Sequence, residues 1–195
     1  KRGNSYDVIN LGMAGWSIDQ YYYTYHKYAK KYKPDIVIVT VLLQNDIYAN
    51  SEYLSDLFFG YHVSKPYFIY KEYPDKPGER ILTSYYPYKN KVVKKELSNS
   101  KKFLTSQQTK QYDGIPFEFN LYRNTYDKYW EEAWHISEGI LLKMKKEIED
   151  DGSQMLVIVI PKRPYDGIIK RYHLNPKDFD LKKPEEMLGA FLKKN

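Results

Sequence analysis

The chain contains no cysteine, which excludes disulfide staples and thiolate chemistry and leaves the redox compartment open. No apolar run approaches the ~20 residues that a helix needs to cross a bilayer; the longest purely aliphatic stretch is residues 156–160. A signal-peptide pattern, an internal repeat and a low-complexity linker are also absent from the sequence. Histidine is scarce, with four residues and no pair at zinc-ligand spacing, and no acidic cluster suggests a bound cation, so neither metal nor cofactor is expected. Charge is only mildly unbalanced, at +6 from 31 basic and 25 acidic residues. What the chain does have is 42% hydrophobic content over 195 residues, enough for one domain, 1–195, with a sizeable core. It also has 22 tyrosines, many of which must pack with their hydroxyls wet or hydrogen-bonded.

Residues 6–11 read as a short strand, and Gly12-Met13-Ala14-Gly15 lets the backbone turn sharply after it. Ser17 offers an N-cap and Gln20, three residues later, completes a capping box. Ile18, Tyr21, Tyr22, Tyr25, Tyr28, Ala29 and Tyr32 then recur at helical spacing until Pro34 stops the helix. The apolar run 36–43 has the pattern of a parallel strand covered on both faces, and it ends in Gln44-Asn45-Asp46. For roughly 80 residues the alternation breaks down, longer than an ordinary connection needs, so 46–125 is read as an insertion or lid region. Inside it, Pro74-Asp75-Lys76-Pro77-Gly78 between two strand-like runs signals a hairpin, and 89–102 holds a lysine run. A long amphipathic helix from Tyr126 to a stop at Asp151-Gly152, a buried strand over 154–160 and a last helix over 184–193 complete the pattern. Strand, helix, strand, insertion, helix, strand, helix is doubly wound α/β logic.

Open α/β sheets bind ligands at the carboxyl ends of their strands, which puts the glycine loop and Asn45 on one rim. Val8 to Gln20, followed by Lys33-Pro34-Asp35 and the run to Asn45-Asp46, resembles the second and third sequence blocks of the SGNH (GDSL-type) serine hydrolases. Many members of that family carry Gly two residues before the Asn, where Leu43 stands here. The resemblance implies a three-layer αβα, flavodoxin-like parallel sheet of order 2-1-3-4-5, lacking its first and fifth strands in this chain. It implies that Gly15 and Asn45 are oxyanion donors, with Trp16, Gln44 and Asp46 as adjacent substrate contacts. The family's Gly-Asp-Ser nucleophile segment and its final Asp-x-x-His block do not occur here. The expectation is therefore a central fragment carrying half an active site and inactive by itself. Residues 6–11 and 36–43 should either lie ~10 Å apart across a missing central strand or collapse into direct pairing.

The reading that follows is a metal-independent serine ester hydrolase or acyl-transfer enzyme. Its partner is a small-molecule or glycan ester, or a lipid ester, with a lean toward the cell envelope because family relatives often act there. Each signal also has an ordinary reading: Gly12 and Gly15 as turn glycines, Asn45-Asp46 as a turn and helix cap. A catalytically empty SGNH-like structural or ligand-binding module is the alternative. A polyanion binder using 89–102 is weaker, because a lysine run is usually a solvated face and no stacking platform accompanies it, so no nucleic acid is expected. His26, His62 and His135 read as packing or surface residues, and Asp166 with His173 has the wrong spacing for the family's last block.

Overall fold

Helix α1 (Ile18–Thr24) begins at Ser17, whose backbone is extended and whose N–H donates to Gln20 Oε1 at 3.2 Å, the half of the capping box that Gln20 supplies. The computed structural model describes residues 6–73, 75–87, 111–161 and 167–195. In it, α1 runs on as a π turn (Tyr25–Ala29) and a 3-10 turn (Lys30–Tyr32), and Lys33 adopts a left-handed conformation just before Pro34. Ile18, Tyr22 and Tyr25 carry the buried stripe, while Tyr28 and Tyr32 are exposed. Strand β1 (Ile36–Leu42) leads into the single turn α2 (Leu43–Asp46) and then helix α3 (Glu52–Phe59), capped by Ser51 and ended by left-handed Gly60. The expected hairpin is present as β2 (Tyr67–Tyr73) and β3 (Lys76–Tyr85), and a two-residue pair follows as β4 (Gln111–Tyr112) and β5 (Ile115–Pro116). Helix α4 (Lys128–Asp150) is capped by Asp127, whose carboxylate accepts from the amides of Tyr129 and Trp130. Strand β6 (Gln154–Ile160), the short α5 (Ile168–Arg171) and α6 (Lys183–Lys194) complete the order. The lysine run 89–102 and Asp166 lie outside the described residues.

The two apolar runs pair with each other as a parallel sheet, Ile36 opposite Gln154 through Leu42 opposite Ile160. With α4 leading directly into β6, this small parallel sheet with its packed helices is compatible with the α/β class. Val37, Val39 and Val41 with Met155, Val157 and Val159 face the core, where Ile140, Leu141, Met144 and Ile148 of α4 meet them. Phe191 and Leu192 of α6 share a cleft with Leu141, Met155 and Val157 on the same face. The core continues beyond the sheet as an aromatic cluster, in which Phe117 contacts Tyr48, Phe58, Tyr112 and Trp130 at ring separations of 5.2 to 5.8 Å.

Two expectations need correction. Among the described residues, strands β1 and β6 are covered on one face, not both: Ile38 is 58% exposed and Ile158 45%, with Ile36, Leu156 and Ile160 beside them on the same bare side. An unbroken apolar run states that a strand tolerates burial on both faces; it does not supply the second layer. Residues 6–11 form no strand at all and are exposed, so neither the strand-wide gap nor direct pairing with β1 occurs. A strand of that length is stable only with a neighbour to take its backbone hydrogen bonds, and the described residues offer none.

Candidate functional site

The rim at the carboxyl end of β1 is built from two loops. The first is a turn in which Trp16 N–H donates to Met13 O at 3.4 Å and Gly15 sits at φ +81, a conformation that L side chains rarely adopt. Ahead of it, Gly12 N–H is held by Asn10 Oδ1 at 2.9 Å. Gly15 is exposed, and its amide donates to no acceptor among the described residues. The second loop is α2, where Asn45 is half-buried and its Oδ1 is buried without a hydrogen-bond partner.

Tyr21 brings the loops together. Its hydroxyl lies 3.0 Å from Trp16 O and 3.2 Å from Asp46 Oδ2, so one phenol bridges the glycine turn and the end of the strand. Asp46 is fully buried, and its Oδ2 also accepts from Leu42 N–H at 2.8 Å. Burial pushes its carboxyl up to about 7, against the pull of the Leu42 amide and the Tyr21 hydroxyl. Asp46 thus fastens the loop from inside, and Gln44 is likewise engaged, donating to Glu118. Of the five residues named from sequence, Gly15 is exposed, Trp16, Gln44 and Asn45 are half-buried, and Asp46 is fully buried and acts through its neighbours.

Beneath this rim lies a polar cluster that the sequence did not announce. Lys65, 8% exposed, donates to Ser17 Oγ at 3.0 Å, to Ala49 O at 2.7 Å and to the Asp19 carboxylate. Burial pulls the Lys65 ammonium down, while Asp19 and Asp46 pull it back up. Ser17 Oγ donates to Asp19 Oδ1 at 2.6 Å. Asn50 accepts from Asp19 N–H at 3.1 Å and donates to Asp46 O at 2.6 Å and Ser137 Oγ at 2.9 Å. A serine beside a buried lysine has the composition of a Ser–Lys nucleophile. Here Ser17 is buried beneath the rim and its proton is committed to Asp19, so the group ties α1, α2 and α4 together instead of reaching a substrate. Lys65 lies 46 positions from Asp19 in a stretch without regular pattern, and a lone lysine there carries no sequence signal of burial.

No protein-family model matches the chain, and no curated protein or solved structure is significantly similar to it. The site therefore stands on its own geometry. A further group was also illegible from the sequence: Glu52 and Asp56 of α3 converge on His62, where sequence spacing had suggested no cation site. His26 is instead paired with Glu147 at 2.6 Å, His135 is exposed on α4, and His173 takes a left-handed conformation after α5.

Proposed function

We propose that this chain carries the oxyanion side of an SGNH-type serine ester hydrolase or acyl-transfer enzyme, with the Gly15 amide and the Asn45 side-chain amide as donors. The observation that carries the reading is that the exposed Gly15 N–H, in a left-handed turn and donating to nothing among the described residues, and Asn45, at a strand's carboxyl end with its Oδ1 buried and unpartnered, lie on loops bridged by Tyr21. The adjacency of β1 and β6 supports it, since these would be the family's neighbouring third and fourth strands. The finer flavodoxin-like, three-layer architecture belongs to the same proposal.

The chemistry asks for such a pair. Attack of a serine Oγ on an ester carbonyl moves the carbonyl electrons onto oxygen, and donors fixed at ~2.7 to 3.1 Å stabilise that oxyanion without reorganising. Glycine allows its amide to approach with no Cβ in the way, and an asparagine amide is a neutral donor that no neighbouring carboxylate captures as an ion pair. The serine, and the histidine and aspartate that move its proton, belong to segments that these 195 residues do not contain.

The test is a short-chain p-nitrophenyl ester assay on the product of the complete reading frame, beside its Asn45→Ala variant. Loss of one donor should lower kcat by ~10²-fold or more with KM little changed. Full activity in Asn45→Ala, or a reading frame with no Gly-Asp-Ser serine, rejects the esterase and leaves the catalytically empty module.

A further inference from the structure

Helix α3 and the turn after it bring together three side chains that no part of the ester reading uses. Glu52 and Asp56 are one helical turn apart and so share a face. Gly60, left-handed at φ +73, ends the helix with its N–H on Asp56 O and sends the chain back, which delivers His62 to that face. One ligand-type atom from each of the three lies within 4.8 Å of the other two.

The arrangement of the carboxylates is specific. Each has one oxygen tied from outside: Tyr85 of β3 donates its hydroxyl to Glu52 Oε2, and Val63 N–H donates to Asp56 Oδ1 at 3.0 Å. The other oxygen of each is turned toward the imidazole, Asp56 Oδ2 at 2.7 Å and Glu52 Oε1 at 3.7 Å from His62 Nδ1. An Asp–His hydrogen bond and a Tyr–Glu hydrogen bond would account for most of these contacts. They leave Glu52 Oε1 buried without a hydrogen-bond partner, in a group whose two carboxylate side chains are only 11% and 6% exposed. A buried acceptor that remains unsatisfied is costly, and a cation held between the carboxylates and the imidazole would satisfy it.

We propose that Glu52, Asp56 and His62 form a binding site for one divalent first-row transition ion, with zinc the best match. Zinc takes carboxylate oxygen and imidazole nitrogen at about 2.0–2.2 Å, which sets its ligands about 3 to 3.5 Å from one another. The two separations from His62 Nδ1, 2.7 and 3.7 Å, bracket that spacing, and the carboxylate oxygens lie within 4.8 Å of each other. His62, 24% exposed, borders the solvent side from which the ion and its remaining water ligands come. The Tyr85 and Val63 contacts are the outer hydrogen bonds that orient ligating carboxylates. The site is independent of the Gly15–Asn45 rim.

The chelator-treated protein is titrated with ZnCl2 by calorimetry, with MgCl2 and CaCl2 as controls, while the imidazole signals of its four histidines are followed by NMR. The expected result is one zinc per chain with the His62 signal moving at the first equivalent. Glu52→Gln and His62→Ala should weaken binding at least ~100-fold, and Tyr85→Phe should weaken it ~10- to 100-fold, as loss of an outer partner does. The proposal is overturned if no saturable binding is seen, if zinc moves His26 or another histidine first, or if folded variants bind as the parent does. The NMR readout decides the matter even where a variant fails to fold.

Discussion

Replacing Lys65 with methionine keeps the length and apolar stem of the side chain and removes the ammonium, which isolates the charge at the centre of the buried cluster. Asp19, with no solvent exposure, would retain donors from Ser17 Oγ at 2.6 Å and its neighbour Gln20 N–H at 2.7 Å but lose its counter-ion. Ala49 O would lose its 2.7 Å donor. Removing one partner of a buried pair typically costs about 3–5 kcal/mol, because the remaining charge cannot be solvated. For a chain of this size each kcal/mol lowers Tm by roughly 2–4 °C, so Lys65→Met should melt about 6–20 °C below the parent. Urea unfolding followed by the fluorescence of the buried Trp130 and Trp134 measures it. Adding Asp19→Asn leaves acceptors for Ser17 and Gln20 while removing the orphaned charge. The double variant should therefore be more stable than the sum of the two single losses by more than about 1 kcal/mol. Additivity within about 0.5 kcal/mol, or a loss below about 1 kcal/mol for Lys65→Met, would refute the claim that this pair holds the rim loops.

Asp46 should make stability pH-dependent. Its carboxyl, raised from 3.8 to about 7, binds a proton in the folded state that the unfolded chain releases, so its contribution is full below about pH 4 and is lost as pH rises through 7. The roughly three-unit gap corresponds to at most about 4 kcal/mol. The difference in unfolding free energy between the parent and Asp46→Asn, plotted against pH, should slope through that window; a flat difference means the carboxyl is ionised throughout. Along β1, Ile38→Thr should cost less than about 0.5 kcal/mol because the side chain is already in solvent. Val39→Thr, at a position only 3% exposed, should cost about 1–3 kcal/mol for the buried hydroxyl. Equal costs at the two positions in chemical denaturation would show that the second face is covered.

Much of the fold was legible because local rules agreed with one another. The amphipathic pattern and the Asp151-Gly152 stop gave α4 to within two residues of its observed bounds, and the Pro-Gly turn between strand-like runs gave the β2–β3 hairpin. The Ser17–Gln20 spacing gave the start of α1. Residues 6–11 failed for the opposite reason: their β-type composition is a statement about what a partner would accept, and a strand exists only as part of a ladder. Of the rim, Gly15 and Asn45 could be singled out because a glycine at a turn and an amide after a strand are local signals. Trp16 and Gln44 followed only as neighbours.

By itself, then, the sequence determined the absence of disulfides and the type and order of α1, β1, the β2–β3 hairpin, α4, β6 and α6. These depend on periodicity, backbone preference and residue chemistry, which act over a few positions. Only the tertiary structure decided which face of the sheet is bare, that Asp46 points inward, that Lys65 is buried against Asp19, and that His62 returns to Glu52 and Asp56. Burial and charge pairing join residues 46 positions apart as readily as adjacent ones, and their energies depend on the surrounding dielectric, which exists only once the chain has packed.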